Sequence, residues 1–273
     1  MKPGKHIVDT TLRDGEQSPD VSFSRDQKLK IAEILINCGV EQLEVGVPSG
    51  GEYERETIRQ IIVRRGHAKI AVWSRLNTDD VRSCIDCEPD IVHISVPVSY
   101  VHIYSKLQKN KMWVINQLYT CVGLLQASGL KISVGFEDAF RSDASFLLSL
   151  AQTLNDLGIT RVRLADTVGV ATPTICGEMF ALMRQYLGDG AELGFHAHND
   201  FGMALPNTIA ALKNGCDYAD TTLLGIGERT GNCDFFNLIR TTSGLFDWGI
   251  SAAGAQRAQE EYLEATRQNG GAV

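Results

Sequence analysis

The 273-residue chain lacks any run of about 18 apolar residues, so nothing in it reads as a bilayer-spanning helix. Its opening, MKPGKHIVDTTLRDG, lacks the apolar stretch of a secretory signal, and a cytoplasmic location is the expectation. Basic runs are also lacking: 26 Lys plus Arg stand against 33 Asp plus Glu, a net charge of −7. Nucleic acid and anionic membrane are therefore poor partners. Neither G-x-G-x-x-G nor a P-loop pattern follows the first strand-like run, where the sequence is TTLRDGEQ, so no nucleotide fingerprint is present there. The seven cysteines, at 38, 84, 87, 121, 176, 216 and 233, are odd in number and scattered, which points to free thiols. Only CIDC (Cys84 and Cys87) has metal-like spacing, and no second pair completes a zinc set.

What the chain has is repetition. Short β-branched or apolar runs recur at HIVDTT, QLEVGVP, KIAVWSR, DIVHISVPV, KISVGFED, RVRLADT, ELGFHAH and YADTTLLGIG, which makes eight strands. Helical spacing fills the intervals. In SRDQKLKIAEILINCG, Ser24 is placed to cap the helix and Gly39 to stop it; in DASFLLSLAQTLNDLG, Gly158 plays the same stop role. Strand and helix alternating eight times at about thirty residues per unit predict a single-domain α/β fold, a (β/α)8 TIM barrel, with a doubly wound sheet as the alternative. Polar residues gather at the C-terminal ends of many strands: Arg13 and Asp14, Glu44, Arg75, Glu137 and Asp138, Asp166 and Thr167, His196 and His198. A barrel builds its site around that whole rim, whereas an open sheet collects chemistry at one switch point, so the barrel is favoured. The barrel is expected over residues 1–250, with a closing helix and loose tail over 251–273.

The stretch GFHAHNDFG holds the densest chemistry. Strand alternation puts His196, His198 and Asp200 on one face, and two imidazoles on one face can share a metal ion. An isolated H-x-H is otherwise a hydrogen-bonded pair. Barrel closure would bring Asp14 beside both histidines, giving a carboxylate and two imidazoles with positions left open. Asn232, in GIGERTGN, sits next around the ring and offers an amide oxygen or a turn-forming side chain. The mixture suits Mg²⁺, Mn²⁺ or Zn²⁺. Arg13 is placed to stabilise an enolate oxygen or to form a surface ion pair. Of Glu137 and Asp138 alternation sends one inward, and Glu137 is the acid/base candidate.

Together DTTLRDGEQ, FHAHNDFGMA and LLGIGERTGN resemble the signatures of the metal-dependent Claisen-condensing TIM barrels: isopropylmalate, citramalate and homocitrate synthases, with 3-hydroxy-3-methylglutaryl-CoA lyase a more distant cousin. The resemblance runs over roughly residues 5 to 245. It implies a divalent metal on Asp14, His196 and His198 with Asn232 in or near the shell, and acetyl-CoA as co-substrate. It further implies that Arg13 stabilises charge on the keto oxygen of a 2-oxo acid, that Thr167 holds its carboxylate, that Glu137 serves the acid/base machinery, and that Gln17 and Glu44 line the pocket.

The segments SVPVSYVHIYSKLQKNKMWV and RLADTVGVATP are most similar to homocitrate synthases of the nitrogen-fixation type, which implies 2-oxoglutarate; Arg75 is then the candidate cation for the distal carboxylate, or else a rim salt bridge. The other acids of the family, giving isopropylmalate, citramalate or, in a Re-type enzyme, citrate, remain alternatives, as does carbon–carbon cleavage by a lyase. A homodimer is the family's implication. Condensing members continue past the barrel into a segment that carries a further histidine and tyrosine to a partner's site. Here no histidine follows His198, and only Tyr218 and Tyr262 are later tyrosines. A truncated chain, a second chain supplying the segment and a chemistry without it are the three readings this leaves.

Overall fold

A computed structural model of the protein describes residues 2–267. Eight parallel strands form a closed barrel in chain order. Strand β1 (His6–Asp9) is followed by helix α1 (Arg25–Cys38), β2 (Gln42–Glu44) by α2 (Glu52–Val63), and β3 (Lys69–Arg75) by α3 (Thr78–Ile85). The pattern continues with β4 (Ile91–Pro97) and α4 (Lys111–Ser128), then β5 (Lys131–Glu137) and α5 (Ala144–Asp156). It ends with β6 (Arg161–Asp166), α6 (Pro173–Leu187), β7 (Glu192–Ala197), α7 (Ala204–Lys213), β8 (Tyr218–Thr221), α8 (Phe235–Thr242) and a ninth helix, α9 (Ala252–Arg267). Pairing of β1 with β8, His6 opposite Tyr218 and Asp9 opposite Thr221, closes the ring. The alternative of a doubly wound sheet is excluded.

Local sequence explains where the helices start and stop. Ser24 and Gln27 form a reciprocal capping box at α1, and Gly39, at φ 99°, ends it in the left-handed conformation that costs glycine least. α5 ends the same way, with Gly158 at φ 78°. α9 buries Ala255, Ala258 and Tyr262, and the Tyr262 ring meets Phe23 edge-on at 6.2 Å, so the closing helix is part of the helical layer. The loose tail expected beyond it lies outside the described residues.

Two strands are shorter than the sequence implies. β2 stops at Glu44 because Gly46, at φ 151°, and Pro48 turn the chain away; β8 stops at Thr221 because Leu223–Gly225 winds into a tight turn. β1 itself ends at Asp9, so Arg13 and Asp14 lie on the loop after it rather than at its end.

Strand register decides which side chains face the barrel axis. Glu44, His93, Glu137, Arg163, His196 and Asp220 do, whereas Asp9 faces the helices. No helix among the described residues is long and apolar enough to cross a membrane. All seven cysteines are free; burial pushes the Cys84 thiol up to about 12 and that of Cys87 up to about 11, so CIDC packs as an apolar pair rather than presenting thiolates.

Candidate active site

A cavity of 660 Å³ opens at the C-terminal mouth of the barrel. Arg13, Asp14, His196 and His198 line one part of it, and Gln17, Arg75, Glu137 and Thr167 line the rest. The side chains of Asp14, His196 and His198 offer three ligand atoms within 4.8 Å of one another, all buried. His196 Nε2 is 3.3 Å from His198 Nε2 and 3.7 Å from an Asp14 oxygen.

His196 and Asp14 are held from behind, whereas His198 Nδ1 is buried without a partner. His196 Nδ1 donates to Asp220 at 3.0 Å, which leaves Nε2 with its lone pair toward the cluster. Burial drives the His198 imidazole down to about 3, so it is neutral at physiological pH and able to ligate. Burial alone would raise Asp14, but Arg13 and the two histidines hold it down to about 2. The Asn232 amide nitrogen donates to Asp14 at 2.5 Å and to the Ile226 carbonyl at 3.0 Å, while its oxygen is buried without a partner. Two imidazole nitrogens, an ionised carboxylate and a leftover amide oxygen are a donor set that fits a divalent cation.

Asp200 is not among these donors. β7 ends at Ala197, the alternation breaks there, and Asp200 instead accepts from Arg229 at 2.8 and 3.0 Å.

Beneath the cluster lies a continuous ionic network. Arg13 donates to Asp14 at 2.8 Å and to Glu44 at 2.5 Å; Arg163 reaches the other Glu44 oxygen at 2.8 Å and Asp220 at 2.7 Å; and Asp220 accepts from His196. Burial works against the charge on Arg13, but Glu44 and Asp14 overcome it and raise its pKa. Glu44 is a correction to the sequence reading. Its side chain is fully buried between two arginines and does not open on the cavity, so it positions Arg13 rather than lining the pocket.

The remaining residues keep their place at the mouth with partners the sequence did not reveal. Arg75 lines the cavity rim and donates to Asp80 at 2.6 and 3.1 Å, the rim salt bridge of its two readings. The Thr167 hydroxyl oxygen accepts the Asp138 backbone N–H at 2.8 Å, which leaves its own proton free to donate. Glu137 faces inward, and Asp138, just beyond β5 at φ 63°, turns its carboxylate to Arg141. Burial favours a neutral Glu137, yet His102 and Lys106 hold its pKa below the usual carboxylate value.

His93, His102, Arg163 and Asp220 belong to the site and were not singled out from sequence. No residue of β4 was chosen that could have pointed to His93, and Arg163, although on the alternating face of β6 that leads to Thr167, reads as solvent-facing until the barrel closes. His93 is buried, accepts or donates at Nδ1 to Ser133 at 2.7 Å, and lies against Gly135, where a Cβ would come within 2.4 Å of its Nε2.

A family model described as HMGL-like matches residues 5–245. The chain belongs to the HMGL-like family. This HMGL-like chain is 41% identical over 242 residues to "homocitrate synthase subunit alpha" of Clostridium pasteurianum, covering 89% of each. It is 42% identical to a homocitrate synthase of Frankia alni over 83% of this chain and 64% of that one. A 2-isopropylmalate synthase of Caldanaerobacter subterraneus is 37% identical over 91% of this chain and 65% of that one. The HMGL-like chain thus spans most of the clostridial subunit and less than two thirds of the two longer enzymes. Among solved structures, the hydroxymethylglutaryl-CoA lyase of Pseudomonas aeruginosa matches with a TM-score of 0.85 at 17% identity, over 99% of this chain and 96% of that one. The lyase of Brucella melitensis matches at 0.84 and 20% identity, over 98% and 100%. At these identities the likeness is one of fold.

Proposed function

We propose that the barrel condenses acetyl-CoA with a 2-oxo acid, and that the acid is 2-oxoglutarate, giving homocitrate. The observation that carries this reading is the buried Asp14, His196 and His198 cluster sharing one cavity with Arg13, Glu137 and Thr167. The homocitrate synthases among the relatives support it. Asp14, His196 and His198 would hold Mg²⁺, Mn²⁺ or Zn²⁺, with Asn232 beside them. When bound, that cation supplies Lewis acidity to the keto group.

The chain's own residues do the rest. Thr167 donates its hydroxyl proton to the substrate carboxylate, and Gln17 adds a polar contact at the same mouth. Glu137 takes a proton from the acetyl methyl group, whose carbon then bonds to the keto carbon. The keto oxygen gains the negative charge, which the guanidinium of Arg13 stabilises in a desolvated setting. A proton returns to that oxygen, and water then cleaves the thioester, releasing coenzyme A as its thiol and leaving a third carboxylate on the product. Arg75 at the rim would meet the distal carboxylate of a dicarboxylic substrate. The enzyme would act in the cytoplasm as a homodimer.

Thiol release from acetyl-CoA with Mg²⁺ or Mn²⁺, across pyruvate, 2-oxoisovalerate, oxaloacetate and 2-oxoglutarate, tests the proposal. Release with 2-oxoglutarate is the expected result, lost in His196→Ala and His198→Ala together with metal binding; full metal occupancy in both variants would sink the ligand assignment. Release with another of the four acids would keep the chemistry and replace the substrate.

A second reading is favoured by one observation, the coverage of 89% of a relative that is itself called a subunit. In that form the barrel needs a second chain to complete condensation. No thiol release with all four acids, from protein that binds Mn²⁺ and 2-oxoglutarate in calorimetry, would select it over the one-chain form.

A further inference from the structure

The two oxygens of Glu137 have different surroundings. Oε1 lies 3.0 Å from His102 Nδ1, off the line of a hydrogen bond and with no other partner for that nitrogen among the described residues, and 3.6 Å from Lys106 Nζ; Oε2 meets the Ser95 hydroxyl at 3.4 Å. His102 comes from the chain just after β4, where Val101–Lys106 form a single stretch of π-helix. Such wide turns are uncommon and concentrate at functional sites, because they re-aim a side chain that an α-helix would point elsewhere. Here the turn is anchored at its start by Ser99, whose hydroxyl accepts the His102 backbone N–H at 3.2 Å. The imidazole is buried and directed at β5.

Its other nitrogen, Nε2, lies 3.8 Å from Asp138 Oδ2. Asp138 adopts φ 63°, a conformation uncommon outside glycine, and its carboxylate is fixed by Arg141 at 2.7 Å. His102 therefore sits between the carboxylates of two consecutive residues that alternation would otherwise send apart. The charged and titratable groups facing it are Glu137 and Asp138 from β5 and its end, Lys106 from its own turn, and Arg141 behind Asp138; Ser95 on β4 contributes a hydroxyl. None of them touches the Asp14, His196 and His198 cluster.

We infer that His102 is a positioning residue for proton transfer: its orphaned Nδ1–H lines up on Oε1 once substrate is bound and holds Glu137 there, and Oε2 is thereby the oxygen that takes the proton from the acetyl methyl group. The inference rests on the acid/base reading of Glu137 given above. A carboxylate fixed at one oxygen by a donor stays ionised and keeps the other oxygen aimed, whereas a free one rotates and, in a buried setting, drifts toward the neutral form.

His102→Phe removes the donor and keeps the ring; His102→Asn returns an N–H near the position of Nδ1. With acetyl-CoA and 2-oxoglutarate, His102→Phe is expected to lower kcat by about 10²-fold with little change in KM. The acid limb of its kcat profile should move to higher pH, because only Lys106 then opposes the upward push of burial on Glu137. His102→Asn should recover most of the rate, a rescue that a merely space-filling role would not show. Wild-type kcat in His102→Phe alongside an inactive Glu137→Gln would overturn the inference, as would an Asn variant no better than the Phe variant. Wild-type kcat in Glu137→Gln would instead remove the acid/base reading beneath it. Turnover is not required for the remaining arm: with Mg²⁺ and 2-oxoglutarate bound, the Nδ1 proton of His102 should give a downfield proton resonance that is lost in Glu137→Gln. A wild-type spectrum of that complex without it, with the protein folded, overturns the clamp.

Discussion

Asp9 carries a carboxylate that faces away from the chemistry. One oxygen accepts the Thr11 backbone N–H at 2.9 Å and the other is buried without a partner between barrel and helices. Burial pushes its pKa up from 3.8 to about 7, against the pull of the Thr11 bonds. The folded chain therefore holds a proton that the unfolded chain releases, so the stability linked to protonated Asp9 is complete below the unfolded value and is lost as pH rises through about 7. Asp9→Asn keeps the bond to Thr11 and removes the charge. It should stabilise the protein by up to about 4 kcal/mol at about pH 8 and by less than half of that at about pH 5, read as the shift in urea midpoint. An equal gain at both pH values would mean that Asp9 is not the titrating group. Asp9 also marks a limit of sequence reading at this scale. HIVDTT announces a carboxylate near a strand end, but which face it takes depends on the register of β1 against β8. The same dependence hid Arg163 and His93, which look like ordinary solvent-facing alternates until the barrel closes over them.

Among the elements, the connection from β8 to α8 does the most to build the site. The Asn232 N–H donates to the Gly225 carbonyl at 2.8 Å and the Gly231 carbonyl accepts from Asn199 at 2.9 Å, which draws the loop against the end of β7. Gly231 is at φ 88°, and a Cβ there would stand 2.0 Å from the Gly225 carbonyl oxygen. Gly231→Ala thus meets both a backbone clash and an unfavourable dihedral, about 1–3 kcal/mol for such strain, and it moves Asn232 away from Asp14. Thermal denaturation should show the loss, and calorimetry should show weaker Mn²⁺ binding. Gly190→Ala is the matching control, since nothing lies within 4 Å of the added methyl; it should change neither. If Gly231→Ala bound Mn²⁺ as the wild type does, the loop would have no part in holding the cation. Sequence indicated the motif GIGERTGN but read the strand through to Gly227. The apolar run of YADTTLLGIG has strand character throughout, and only the positive φ of Leu224 and Gly225 shows that the second half has already turned to form the site.

Over the whole molecule, the barrel, its eight repeats and the three metal-ligand candidates were legible because each depends on local pattern: alternation, helix caps and ligand types at fixed spacing. The ionic network was not, because it depends on closure. Asp14, Arg13, Glu44, Arg163, Asp220 and His196 come from five different strand units and meet only when β1 joins β8. Among the described residues Arg163 is the one cation that touches both halves, balancing Glu44 behind Arg13 and Asp220 behind His196. Removing it leaves two buried carboxylates each short of a partner, a loss of about 3–5 kcal/mol when one member of a buried pair is deleted. Arg163→Met, close in shape and without charge, should therefore lower the melting temperature by roughly 10 °C at 2–4 °C per kcal/mol. It should also disturb the site at two separate points: weaker Mn²⁺ binding through His196, and slower condensation through Arg13. Replacing Glu44 and Asp220 singly by Gln and Asn separates the halves. Glu44→Gln should act mainly on rate and Asp220→Asn mainly on metal affinity, and if both single variants changed rate and affinity in the same proportion, Arg163 would be holding the barrel together without linking its two catalytic ends.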